Sequence, residues 1–296
     1  MISVQDAFKK FRSRLELTDR EQGDASRRQK EIRALMDKAF EVEHDFLTGS
    51  YARWTKTKPL KDVDIFCVLG DAERHFRGKA PLVLLEAIEA VLVDKYGRDN
   101  VSKQRRSVTV SFGVKEVDGE TNDQVMSFDV VAAFAKKDYY EIPDTAQATG
   151  WTSTNPKIHY DLAVKANEAF SGEWKGMVRM MKSWNRLRDK PIKPSFLIEV
   201  MALQLLYPPF GGDYRYEMKA FFASLCDQIS ERWPDPAGLG PDVSDRMDAQ
   251  QCRIAKEQLQ GAVQQAAKAI QLERSGKQGE ALREWRDLFG PLFPLS

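Results

Sequence analysis

Two hydrophobic rhythms alternate along the chain. Phe8, Phe11 and Leu15, then Ile32, Leu35, Met36 and Phe40, recur in steps of three and four, which predicts two amphipathic helices near the start. Residues 82–96 carry the same rhythm, and Gly97 predicts its end, because glycine tolerates the backbone turn that closes a helix. Elsewhere the period shortens. Asp62-Val63-Asp64-Ile65-Phe66-Cys67-Val68-Leu69 is β-branched, aromatic or apolar apart from two acids, which predicts a strand. Residues 107–117 and 124–134 predict two more, joined as a hairpin through the polar run 118–123, and the three make a small sheet. From 156 onward helical patterns dominate, with breaks at Ser171-Gly172, Asp189-Lys190-Pro191, Pro208-Pro209-Phe210-Gly211-Gly212 and Pro234-Asp235-Pro236. No internal repeat is visible. The expected division falls near 150–155, giving a sheet-bearing half (1–155, with the N-terminal helices) and a helical half (156–296), with a ligand cleft between them.

The strand at 62–69 is where the chemistry concentrates. Side chains alternate faces at ~3.3 Å per residue, so Asp62 and Asp64 project from one face roughly 6 to 7 Å apart. Like charges held that close repel and lose hydration unless cations sit between them, and magnesium supplies such a counter-charge. Just upstream, Gly49-Ser50 predicts a phosphate-holding turn: glycine lets the backbone approach a ligand, exposed N–H groups leading into a helix bind phosphate oxygens, and the serine adds a hydroxyl. Asp129 is the only charge within the apolar run 125–134. Taken singly it reads as a strand-end acid or half of a buried ion pair. Taken with Asp62 and Asp64, it completes three carboxylates on adjacent strands, a usual way to hold two metal ions ~4 Å apart for phosphoryl transfer.

Composition narrows the partners. The 296 residues are 42% hydrophobic, enough for one large or two smaller cores. Lys and Arg number 45 against 44 Asp and Glu, a formal charge of +1, which argues against a protein that grips long nucleic acid and favours small nucleotides. Arg53, Lys56, Lys58 and Lys61, and Lys103 with Arg105 and Arg106, are candidates to screen a triphosphate, although each alone reads as a solvated surface charge. Cys67, Cys226 and Cys252 have neither zinc nor disulfide spacing and suit a reducing cytosol; His44, His75 and His159 form no ligand group. With no apolar leader and no run near the ~20 residues of a membrane span, the expectation is a soluble, cytoplasmic protein with no membrane partner.

With these residues in place, the chain resembles the polymerase-β-like nucleotidyltransferases, and among them the bacterial CD-NTases related to cyclic GMP-AMP synthase and oligoadenylate synthase. The likeness runs through Leu47-Thr48-Gly49-Ser50, Thr55, Pro59-Leu60 ahead of Asp62-Val63-Asp64-Ile65, Ser107-Val108-Thr109-Val110-Ser111-Phe112 and Phe128-Asp129-Val130-Val131. It continues through Met180-Met181-Lys182-Ser183-Trp184-Asn185-Arg186, Lys193-Pro194-Ser195-Phe196-Leu197-Ile198-Glu199 and Trp285-Arg286-Asp287-Leu288-Phe289-Gly290. The resemblance implies an α+β fold: a nucleotidyltransferase core of small mixed sheet and helices, plus an α-helical C-terminal lobe, bilobed around a central cleft. By the same resemblance Lys182 and Ser195 touch the triphosphate and Phe196 stacks on a base. Read as residues alone, these three are a surface lysine, a helix N-cap and a core aromatic; Trp184 and Glu199 read as structural.

The activity implied is Mg2+-dependent transfer, with two ions and Mn2+ as substitute, joining ATP, with GTP as second candidate, into a cyclic di- or trinucleotide with loss of pyrophosphate. A role in bacterial antiphage signalling and a regulatory protein partner come with the family. Two rivals from other classes are a linear transferase acting on an RNA end or small acceptor, and a catalytically silent nucleotide-binding module.

Overall fold

A computed structural model describes residues 2–112 and 127–296, which form two compact units: Leu17–Tyr160, and Met1–Glu16 together with Asp161–Ser296. The chain opens with α1 (Val4–Arg14), which belongs to the second unit, and then enters the first through α2 (Asp19–Ala39). Thr18 and Glu21 form a reciprocal capping box at the start of α2, satisfying two backbone N–H groups that the first turn would leave unpaired. The Glu21 carboxylate is fully buried and also accepts from the Leu60 N–H, tying the helix to the segment that leads into the acidic strand.

The remaining elements of this unit are β1 (Val42–Thr48), the short α3 (Gly49–Ala52), β2 (Asp62–Leu69), α4 (Pro81–Tyr96), β3 (Val101–Lys103), β4 (Val108–Ser111), β5 (Ser127–Ala135), β6 (Tyr140–Pro143) and β7 (Trp151–Thr154). The sheet order is β1-β2-β5-β4-β3, with β6 pairing β5 and β7 pairing β6. It is mixed: β2 and β5 run parallel, and every other pairing is antiparallel.

Alternation of side chains sorts the sheet into two different faces. Val63, Ile65, Cys67 and Leu69 of β2 and Phe128, Val130, Ala132 and Phe134 of β5 pack in one core with Ile32 and Met36 of α2 and Leu84, Leu85, Ile88 and Leu92 of α4. The opposite face is split along its length. One end carries Asp62, Asp64 and Asp129; the other carries a small apolar cluster of Phe66, Val68, Ala133 and Ile142 with Phe46, Val131 and Tyr140 packed on it.

The second unit is helical. Besides α1 it contains the body of α5 (Pro156–Ala169), then α6 (Trp174–Leu187), α7 (Ser195–Leu205), α8 (Tyr214–Gln228), α9 (Ala249–Arg274) and α10 (Gln278–Phe289). All four breaks predicted from Gly and Pro fall between these helices. Among the described residues no helix is long and apolar enough to cross a membrane.

Four findings differ from the sequence expectation. Among the described residues the sheet has seven strands rather than three, because β1, β3, β6 and β7 were not anticipated. The stretch 150–155, expected as a boundary, carries β7. The polar run 118–123 lies outside the described residues, although β4 and β5 do pair antiparallel as a hairpin requires. Finally, α1 was grouped with the sheet but packs into the helical unit: Phe8 meets Trp285 and Phe293 with ring centroids 4.9 and 5.1 Å apart, and Phe11 meets Phe289 at 5.0 Å. An amphipathic stripe says that a helix has a face to bury, not what will cover it.

Candidate active site

The site is assembled by register. Strand β1 sets Thr48 opposite Asp64, and at its end Gly49 turns the chain with φ +68° into α3. A Cβ on Gly49 would overlap the Asp64 carboxylate, whose Cγ would lie 2.7 Å away. Glycine is needed there on both counts, backbone angle and clearance. Backbone bonds from Arg53 N–H to Gly49 O (3.2 Å) and from Thr55 N–H to Ser50 O (3.0 Å) then hold the turn in shape.

Parallel pairing of β2 with β5 matches Asp62 to Ser127, Val63 to Phe128 and Asp64 to Asp129. In-register parallel partners point to the same face, so Asp64 and Asp129 stand side by side and Asp62 lies one side-chain repeat along β2. Strand β4 adds Thr109 opposite Asp129, and its hydroxyl donates to Asp129 Oδ1. Lys56 forms an ion pair with Asp62.

This crowding is visible in the acids themselves. Burial, then the charges of Asp62 and Asp129, push the Asp64 carboxyl from 3.8 up to about 6, against the opposing pull of Lys56 and Arg53. Burial also raises Asp129, with Asp62 adding to it, while the Thr109 hydroxyl pulls the other way. A carboxyl whose folded pKa is raised favours the folded state below its unfolded value and loses that contribution as pH rises through the folded value. In EDTA, therefore, the protein is expected to lose thermal stability between about pH 4 and 6 from this group, and Asp64→Asn to flatten that part of the profile. Melting curves across the window check it; parallel profiles for both proteins would reject the assignment.

The donor set can be tested against a metal. All three are carboxylate oxygens, the ligand type of Mg2+ and Mn2+ rather than of zinc. The raised Asp64 carboxyl marks negative charge that Lys56 and Arg53 leave incompletely balanced, which is where a divalent cation gains most. Among the described residues no group of three or more His, Cys, Asp or Glu side chains is already gathered to hold an ion. The strands thus fix donors of the right kind on one face without closing them into a cage.

The other residues singled out from sequence lie in the helical unit or elsewhere on the sheet. Lys182, on α6, is buried and paired with the buried Glu199 of α7 at 2.7 Å, so it is not a solvated surface lysine. Removing one partner of such a pair strands a charge out of water: Glu199→Gln is expected to destabilise the protein by about 3–5 kcal/mol, read by denaturant unfolding. Ser195 is the first residue of α7, exposed, with Pro194 rather than the serine in the capping position. Phe196 packs partly buried on the helical core. Trp184 is fully buried.

Three of the basic candidates are committed away from the carboxylates. Lys103 pairs with Glu89 at 3.0 Å, while Arg105 and Arg106 both clamp the fully buried Asp144, the latter at 2.7 Å. Burial alone would raise the Asp144 carboxyl, yet these two guanidiniums and the Ala146 N–H hold it low. Arg53 and Lys56 stay at the site. Thr109 was missed as the group that steadies Asp129, and its place at an alternate position of a strand was the only signal available.

A mixed sheet with three acids on adjacent strands, a glycine-serine turn beside them and a separate helical unit defines a polymerase-β-like nucleotidyltransferase. Residues 2–167, more than half of the chain, match the Second Messenger Oligonucleotide or Dinucleotide Synthetase (SMODS) domain, and the chain belongs to that family, the CD-NTases. It is 27% identical over 280 residues to a probable cyclic nucleotide synthase of Bacillus cereus, covering 83% of this chain and 81% of that one. It is also 27% identical over 276 residues to the cyclic AMP-AMP-AMP synthase of an Acinetobacter species, covering 86% and 73%. Among solved structures, CdnC of Escherichia coli MS115-1 with ATP superposes with a TM-score of 0.72 at 19% identity over 99% of both chains. The same protein in complex with HORMA-deltaN gives 0.72 at 18% identity over 98% of both.

Proposed function

We propose that this enzyme joins nucleoside triphosphates, ATP first and GTP as second candidate, into a cyclic di- or trinucleotide, releasing pyrophosphate at each joining step. The observation that carries the reading is the register placing Asp64 beside Asp129, with Asp62 on the same face and Gly49 against Asp64. Asp62, Asp64 and Asp129 would hold two magnesium ions, or manganese in their place; such ions lower the pKa of an attacking hydroxyl and neutralise triphosphate charge.

The chain's own groups divide the remaining work. Asp129, oriented by Thr109, accepts the proton from the incoming ribose hydroxyl as its oxygen bonds to the α-phosphorus and the bond to pyrophosphate breaks. The N–H groups of the turn at Gly49 and the Ser50 hydroxyl hold phosphate oxygens and align them. Lys182 and Ser195 act on the triphosphate in this reading. For Lys182 that means sharing its ammonium with Glu199, which already holds it.

In this reading, catalysis belongs to the sheet-bearing unit, Leu17–Tyr160, and the nucleotide-holding helices to the helical unit. The product is a cytoplasmic signal in antiphage defence, synthesised under control of a protein partner, as the complex of CdnC with HORMA-deltaN suggests by likeness. Incubation with the four ribonucleoside triphosphates and Mg2+, followed by mass spectrometry, tests it. Ring products fit; only linear chains or a nucleotide added to an RNA end would overturn ring closure, and no product at all would leave a binding module.

A further inference from the structure

Lys56 is presented to the acids by a fixed piece of chain. It lies between Thr55 and Thr57, both buried, on the stretch 53–61 that joins α3 to β2. That stretch is fastened along its length: Thr55 N–H donates to Ser50 O (3.0 Å), Leu60 N–H donates to the buried Glu21 carboxylate (3.2 Å), and Lys61 O accepts from Ser127 N–H at the start of β5 (2.9 Å). The Lys56 side chain is 16% exposed, and its ammonium pairs with Asp62, whose side chain is 42% exposed. A pair between two freely waving side chains contributes little, because ordering both of them offsets the attraction. Here the backbone ties and the covered stem have already placed the lysine.

The ammonium does part of the work of a metal. Its charge acts on Asp64 and Asp129 as well as on Asp62, favouring the ionised form of each. One cation of the chain's own thus serves the same three carboxylates that a divalent ion needs. Mg2+ binds carboxylate oxygen at about 2.0–2.1 Å. An ammonium still seated on Asp62 would set a like charge against the incoming ion, and at about 4 Å such repulsion is strong in a partly buried site. Asp62 cannot serve both cations at once. Between a strand locked into the sheet and a lysine on a flexible four-carbon stem, the lysine is the one that can withdraw.

We infer that Lys56 is a resident counter-cation of the acid trio, seated on Asp62 until a divalent ion displaces it. The inference rests on the reading of Asp62, Asp64 and Asp129 as metal ligands and adds a competitor to it. In the metal-free protein the lysine relieves the repulsion among the acids; as metal rises, it sets the concentration at which the ion takes over. Ammonium and metal therefore stabilise the same acids in turn rather than together. A lysine kept only as a strut between the loop and β2 would stabilise the protein equally with and without metal.

Binding of Mn2+ to the full-length protein without nucleotide, followed by loss of the free-ion electron paramagnetic resonance signal, tests this beside melting temperatures in EDTA and in saturating Mn2+. Lys56→Met is expected to bind Mn2+ about tenfold more tightly than the parent, to melt below it in EDTA, and to close most of that gap in Mn2+. Lys56→Arg, which keeps a cation on Asp62, and Lys58→Met, on the same loop, should both bind Mn2+ within about twofold of the parent. Adding Lys56→Met to Asp62→Asn should bring no gain in affinity. Equal affinity of Lys56→Met and parent, a melting gap undiminished by Mn2+, or tightening by Lys58→Met or Lys56→Arg as large as by Lys56→Met overturns the inference and leaves the metal site standing. If none of these proteins binds Mn2+, the metal site itself is refuted and the inference goes with it.

Discussion

Asp64→Asn is expected to cut product formation from nucleoside triphosphates by at least about 100-fold, with the fold intact and the metal-free protein at pH 7.5 as stable as the parent or more so. The two halves of that result have one cause. Asp64 stands between Asp62 along its own strand and Asp129 across the parallel pair, and its carboxyl titrates near 6 because burial and both neighbours resist its ionisation. An amide of the same shape relieves the repulsion but removes an anionic oxygen donor. A residue kept only for packing would show the opposite pattern, with activity little changed and stability lower. Rates from product quantification and melting temperatures in EDTA, measured on the same preparations, separate the cases. Retained activity would remove Asp64 from the catalytic set.

The second large effect belongs to Gly49. Alanine there must adopt φ +68°, which costs an L-residue about 1–2 kcal/mol, and its methyl must displace the Asp64 carboxylate. Small displacements of aligned groups are expensive in rate, so turnover by Gly49→Ala is expected to fall by about 100-fold while the protein still folds. The comparison is with Gly97→Ala, at the end of α4, where φ is +83° and no atom lies within 4 Å of the added methyl. Both variants carry a strained backbone, but only the first disturbs an acid. Equal activity of the two would show that the close approach to Asp64 has no catalytic consequence.

Local pattern made part of this protein legible. Strands β2 and β5, helix α4 with its stop at Gly97, and all four interhelical breaks follow from apolar spacing and from Gly and Pro. The strands that escaped notice are short or polar: β1 reads Val-Glu-His-Asp-Phe-Leu-Thr, and β3, β6 and β7 have four residues or fewer. Such segments are strands because a neighbour pairs with them, which is tertiary information. The acids stood out because charges in apolar runs are conspicuous. Their mutual register did not, since it depends on a parallel pairing between segments more than sixty residues apart. The ion pairs of Lys182 and Arg105 escaped notice for the same reason: Glu199 and Asp144 are distant in sequence and close only once folded.

The docking of α1 has a consequence for how the chain is made. Phe8 and Phe11 leave the ribosome well before the rings that enclose them, Trp285, Phe289 and Phe293. The sheet-bearing unit is continuous from Leu17 to Tyr160, whereas the helical unit waits for α10 before α1 can be enclosed. Nascent molecules spend that interval with the greasy face of α1 bare, and removing residues 1–16 to tidy an expression clone would leave a hole in the helical unit far along the sequence from the cut.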